Sequence, residues 1–274
     1  MRSIALPKTE ILSSRLGFGL SGLHHLLRSK DRQRLLCCGW ENGITYFDAS
    51  PYYGHGLAER ELGLFARGRR HQILIATKFG IQPNPWLRRS RVLMYARLAA
   101  DAALSRIVRR RRFFVSRRQD YSCAGAVASL DRSLRALRTD HVDILYLHDP
   151  TLFGLTDPEK LFDTLRGLKA AGKIRHFGLA GNVRDSMDIL GRYPEPGCLL
   201  QVDAAPGNAE LDILNKASIQ FQSSYGHFRS RQEPLGDLLA SAVGANREGV
   251  ILFSTRRPAR IESMVQLLSL LETA

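Results

Sequence analysis

From Arg15 onward, short apolar runs alternate with amphipathic stretches, and nothing else in the chain restricts its fold as strongly. The runs are Arg15–Gly19, Ile44–Asp48, His71–Lys78, Val142–His148, Ile174–Leu179, Cys198–Val202, Ile219–Ser223 and Val250–Phe253. They are rich in β-branched and aromatic residues and nearly continuous in apolar character, as strands buried on both faces must be. Between and after them the spacing predicts helices over 32–42, 57–66, 122–137, 158–171, 184–190, 208–216, 235–246 and 258–271. Asp31 is the candidate cap of the first of these helices, and Gly43 stops it. Eight strands alternating with eight helices predict an α/β chain folded as a parallel (β/α)8 TIM barrel. An open doubly wound sheet is the alternative. Ser3–Leu6 and Glu10–Leu12, joined by Pro7-Lys8-Thr9, read as an N-terminal β-hairpin. No linker composition or 20–50-residue repeat divides residues 1–274, so one domain is expected.

In a parallel barrel the reacting groups sit at the C-terminal ends of strands. The second run ends on Asp48. Ser50 and Pro51 then break it, and Tyr53-Gly54 follows in the loop. Lys78 ends the third run and His148 the fourth. Taken singly, each has a structural explanation: a turn-forming aspartate, a packed tyrosine, a lysine reaching for water, a structural histidine. Together, four polar groups converge on one rim from consecutive strands, which favours a catalytic site. A tyrosine titrating near pH 10 is a poor acid at neutral pH. A neighbouring ammonium favours its phenolate, and an aspartate holds that ammonium charged and oriented. A histidine donor can then orient a carbonyl oxygen toward the tyrosine.

These residues lie within Phe47-Asp48-Ala49-Ser50-Pro51-Tyr52-Tyr53-Gly54, Ala76-Thr77-Lys78-Phe79-Gly80 and Asp140-His141-Val142-Asp143-Ile144-Leu145-Tyr146-Leu147-His148-Asp149-Pro150. With Ser129–Leu137 and Gly172–Gly178 they resemble the aldo-keto reductase superfamily over residues 15–271. The resemblance implies the tetrad Asp48, Tyr53, Lys78 and His148. It also implies hydride transfer between a carbonyl (aldehyde, ketone or sugar-like) and an alcohol, and NADPH or NADH bound across the barrel mouth.

The implied cofactor positions are Gly19, Asn182, Gln201, Tyr225, Ser254, Thr255, Arg256 and Arg260. Where the family has Ser-Asn after the fifth strand, this chain has Ala180-Gly181-Asn182, and Asn182 is the candidate replacement. The stacking aromatic falls at Ser224, with Tyr225 adjacent. Ser254-Thr255-Arg256-Arg257-Pro258-Ala259-Arg260 matches the adenosine-phosphate segment, although Ser263 and Met264 replace its later Glu and Asn. Its arginines suit a 2′-phosphate, so NADPH is favoured. The other reading is a cofactor-binding barrel acting as a regulatory or interaction subunit without turnover.

Charge enters at one place. Lys and Arg outnumber Asp and Glu by 40 to 26, a net +14. Between Trp86 and Arg118 eleven arginines meet one acid, Asp101, so this stretch alone carries +10. Val92–Ala99 within it looks helical. A solvated loop, an anionic substrate, an acidic protein, nucleic acid and anionic membrane are all compatible with such charge. The aromatics there are too few and too clustered for a single-strand-binding surface, and no specific nucleic-acid partner is expected. Four cysteines fit neither a disulfide nor a zinc pattern, which favours a reducing compartment. No apolar run approaches a membrane span and no signal-like segment opens the chain, so a cytoplasmic location is expected.

Overall fold

The computed structural model describes residues 3–90, 92–97, 99–100, 118–195, 197–205, 210–216, 219–230 and 232–273. Eight parallel strands close into a barrel, so the open-sheet alternative does not hold. They are β3 (Leu16–Gly19), β4 (Tyr46–Asp48), β5 (Leu74–Phe79), β6 (Val142–His148), β7 (Ile174–Gly181), β8 (Leu199–Asp203), β9 (Ser223–Tyr225) and β10 (Val250–Phe253). β10 pairs with β3 and seals the barrel, Ile251 lying opposite Leu16. The outer helices are α1 (Ser29–Glu41), α2 (Leu57–Phe65), α4 (Cys123–Leu137), α5 (Pro158–Ala170), α6 (Val183–Arg192), α7 (Glu210–Lys216), α8 (Leu235–Ala245) and α9 (Pro258–Thr273). The short α3 (Pro85–Arg89) follows β5.

Strand periodicity divides the buried residues into two groups. Phe47, Ile75, Leu145, Leu147, Leu200, Val202, Ile251 and Phe253 point outward and pack in the core shared with the helices. Tyr46, Leu74, Ala76, Ile144, Tyr146, Leu199, Val250 and Leu252 fill the barrel interior. Because successive side chains alternate faces, each inward position is followed by another two residues on. That parity aims Asp48, Lys78, His148 and Gln201 inward, above the apolar layer.

The predicted hairpin forms from β1 (Ser3–Ala5) and β2 (Leu12–Ser14), with Ser3 opposite Ser14. Its Leu6 and Ile11 join the interior cluster and plug the end of the barrel opposite the site. Gln222 ties it down, donating to Pro7 O at 3.0 Å. At the same end, Asp143 accepts from the Ile75 N–H (2.9 Å), Arg70 (2.8 Å) and Arg175 (3.0 Å), locking β5, β6 and β7 together.

Three expectations shift. Helix α1 begins at Ser29 with Arg28 as its cap residue, so Asp31 lies in the first turn. There its charge complements the helix dipole instead of capping it. The third barrel strand starts at Leu74, because Arg70–Gln72 form a 3-10 turn. The strand expected at Ile219–Ser223 is instead Ser223–Tyr225. The Ile219 N–H closes back onto Leu214 O at 2.9 Å, and the Gln222 side chain takes the Leu200 N–H at 2.6 Å, so ladder pairing begins only at Ser223. Apolar character alone could not separate a buried approach segment from a paired strand.

In the basic stretch, residues 92–97 are helical, in line with the expected helix, while residues 101–117 lie outside the described ones. All four cysteines are free thiols. Among the described residues no helix is long and apolar enough to cross a membrane.

Candidate active site

Register sets the site. Asp48 lies opposite Ala76, so Lys78, two residues further along β5, rises just above it; Lys78 in turn lies opposite Tyr146, two residues short of His148. Lys78 Nζ sits 2.6 Å from both oxygens of Asp48 and 3.2 Å from Ala49 O. Both side chains are buried, at 2% and 5% exposure. Gln201 Nε2 donates to Asp48 Oδ1 at 3.0 Å, giving the carboxylate a second donor. At this depth, charge-assisted hydrogen bonds hold a geometry that an exposed pair would not.

Tyr53 heads a 3-10 turn, Tyr53–Gly56, directly after the strand break. Gly54 has φ +56°, and a Cβ there would fall 2.5 Å from His24 Cβ, so both conformation and space demand glycine. This turn brings the Tyr53 ring to 5.0 Å from Lys78 Nζ and sets it edge-on to His148, the two rings 5.8 Å apart at 89°. The four predicted catalytic residues therefore share one mouth.

His148 is fixed from two sides. Ser50 Oγ lies 3.3 Å from its Nδ1. The Tyr121 hydroxyl donates to His148 O (2.6 Å) and to Asp149 O (3.0 Å), pinning a backbone that turns left-handed at Asp149. Tyr121 reaches this place because Gly80, with φ +108°, has no side chain: a Cβ would sit 2.1 Å from the tyrosine ring. Below the pair, burial pushes the Tyr146 hydroxyl up to about 12 and raises that of Tyr46 as well. Both hydroxyls therefore stay protonated at neutral pH.

The predicted cofactor residues fall into two groups. Ser254, Thr255, Arg256, Arg257 and Arg260 line one cleft of about 430 Å³ together with Phe228 and Met264. Ser254 Oγ donates to Gly19 O at 2.7 Å and joins β3 to this cleft. The His24 and His25 rings lie 4.1 Å apart, tilted by 35°. Burial, then His25, His55 and Arg256, hold His24 down to about 4, and its buried Nδ1 has no hydrogen-bond partner. A phosphate-bearing nucleotide fits this donor set of hydroxyls and guanidinium groups.

Near the barrel axis the placement is more mixed. Tyr225 ends β9 beside the interior cluster, whereas Ser224 turns the other way, toward His227 (2.8 Å) and Asn246 (2.9 Å). The aromatic facing the mouth is thus Tyr225. Asn182 caps α6, its side-chain oxygen accepting from the Asp185 N–H at 3.2 Å. Gln201 is committed to Asp48 through its amide nitrogen. Sequence reasoning did not single out Ser50, Tyr121 or the His24–His25–His55 group. Ser50 stood inside the motif, but nothing local marks Tyr121, which packs on Gly80 after β5 and reaches the end of the neighbouring β6.

A model of the Aldo/keto reductase family matches residues 15–199. The chain is 31% identical over 215 residues to pyridoxal 4-dehydrogenase of Microbacterium luteolum, covering 69% of this chain and 61% of that protein. It is 26% identical over 246 residues to D-threo-aldose 1-dehydrogenase of a Pseudomonas species, covering 87% and 64%. The chain therefore spans somewhat less than two thirds of the length of these curated relatives. Its fold superposes on that of an aldo-keto reductase from Bacillus halodurans in its holo form with a TM-score of 0.73. That match, at 19% identity, covers 98% of this chain and 91% of the other.

Proposed function

Because the chain belongs to the aldo/keto reductase family, we propose that it is an NADPH-dependent oxidoreductase interconverting a carbonyl and an alcohol. The observation that carries this reading is the buried Lys78–Asp48 pair beside Tyr53, with His148 edge-on to the same ring. NADPH, when bound, supplies the hydride. Tyr53 gives the substrate oxygen its proton in reduction and removes it in oxidation. Lys78 stabilises the phenolate that reduction leaves on Tyr53, and Asp48 keeps Lys78 charged and in place. Gln201 holds Asp48. His148, steadied by Ser50 and Tyr121, donates a hydrogen bond that orients the substrate oxygen.

Arg256, Arg257 and Arg260 would hold the adenosine 2′-phosphate, with Ser254 and Thr255 as hydroxyl donors, which is why NADPH is preferred to NADH. Gly19, Asn182, Gln201 and Tyr225 are the remaining cofactor candidates. The pyridoxal and aldose substrates in the names of two relatives fit a polar aldehyde or sugar. A cofactor-binding barrel without turnover would need neither a buried lysine–aspartate pair nor a tyrosine beside it, so the pair favours the enzyme. Tyr53→Phe tests this. Turnover in a carbonyl screen read by nicotinamide absorbance should fall about a hundredfold or more, with NADPH affinity unchanged. Near-full activity would reject the assignment.

A further inference from the structure

Behind the turn that presents Tyr53 lies a second cleft, of about 350 Å³, separate from the mouth. Arg60, Arg88, Arg132, Arg135 and Arg138 line it, brought together from α2, α3 and α4. Its floor includes Pro51 and Gly56, which bracket Tyr53, and the carboxyl of Glu59. That carboxyl is within electrostatic reach of Arg60 and Arg132 and offsets them only in part. It is buried, bonded to Thr77 Oγ1 at 2.7 Å, and burial raises its pKa. Asp120, whose Oδ1 accepts from the Ser122 N–H and hydroxyl, adds a second partial offset at Arg132, so the five arginines face two carboxyl groups. Arg88, Arg132, Arg135 and Arg138 form no ion pair among the described residues.

Five guanidinium groups around one concavity repel one another wherever burial keeps water from screening them. The repulsion is felt at Arg132, whose proton affinity is lowered first by burial and then by Arg88 and Arg135, against a smaller opposing pull from Asp120 and Glu59. The cleft also meets the first turn of α2, an end that no side chain caps and that the helix dipole makes attractive to anions. We propose that this cleft binds a small, multiply charged oxyanion of the phosphorylated-metabolite class. Its volume matches a small ligand and not a macromolecular surface, and forked guanidinium donors match phosphate oxygens in pairs. An anion seated there would rest against the turn carrying Tyr53.

The test is calorimetric titration of the whole protein with inorganic pyrophosphate, in three variants beside the wild type. Arg132→Gln/Arg135→Gln should weaken binding by more than tenfold, and Arg88→Gln, on the exposed α3, by about tenfold. Arg256→Gln/Arg260→Gln, in the cofactor cleft, should remove only a separate binding event there and leave this one unchanged. If the Arg132/Arg135 variant fails to fold, Arg88→Gln decides the matter. No binding to the wild type would overturn the proposal. So would binding untouched by Arg88→Gln, or binding lost only in the Arg256/Arg260 variant. The assay does not read turnover, so its failure leaves the proposed reaction standing, and the reverse holds too.

Discussion

Replacing Lys78 with methionine strips Asp48 of a donor lying 2.6 Å from both of its oxygens. The carboxylate stays buried with Gln201 as its remaining side-chain donor at 3.0 Å. Removing one member of a buried pair costs about 3–5 kcal/mol, and Gln201 keeps this case near about 3. Asp48→Asn strands the opposite charge: the ammonium retains Ala49 O at 3.2 Å but loses its counter-ion, again about 3–4 kcal/mol. In the double variant Asp48→Asn/Lys78→Met no charge remains to be solvated, and about 1–2 kcal/mol of lost hydrogen bonding should be the whole cost. The coupling in this cycle is therefore about 4 kcal/mol or more. Urea unfolding reads it directly, each single variant losing roughly 1 M or more of midpoint. Turnover should vanish in all three variants, so the double variant regains stability without regaining activity. A double variant as unstable as the two singles combined would show that the pair is solvated and the reasoning wrong. Recovered turnover would show that the ammonium is dispensable.

Arg260→Ala should weaken NADPH binding about ten- to a hundredfold while leaving NADH nearly unchanged, because charge-assisted contacts are worth about 1.5–3 kcal/mol. Fluorescence titration with both cofactors checks it, and equal losses for the two would assign this arginine another role. Acid should destabilise the protein through His227, which is buried, bonded to Ser224 Oγ at 2.8 Å and held down to about 4 by burial, then by Arg15. The unfolded chain takes up this proton near pH 6.5 and the folded one only near 4. Stability is thus fully present above that upper value and lost as pH falls through the window, by up to about 3 kcal/mol. His227→Asn should show a correspondingly smaller drop in urea midpoint between pH 7 and pH 4.5. An identical drop in both proteins would place the acid sensitivity elsewhere.

By itself the sequence determined the barrel and the catalytic candidates, because both are written in short-range pattern. Val142–His148 and Val250–Phe253 have the strand bounds read from the chain, since each is a continuous apolar run between clear breaks. Asp48, Lys78 and His148 were visible as polar residues terminating such runs. What the tertiary structure decided is everything that depends on register and closure. Ser223–Tyr225 is the paired segment in place of Ile219–Ser223, because the Gln222 side chain takes up a neighbouring strand's N–H, a choice made between segments 22 residues apart. Tyr225 faces the mouth and Ser224 does not, a consequence of the same pairing. Tyr121 braces His148 from a position with no local signature. The second arginine cleft joins Arg60, Arg88 and Arg132 from three elements whose spacing along the chain says nothing of their meeting. Periodicity fixes which face a residue occupies, but only packing across the barrel fixes what that face meets.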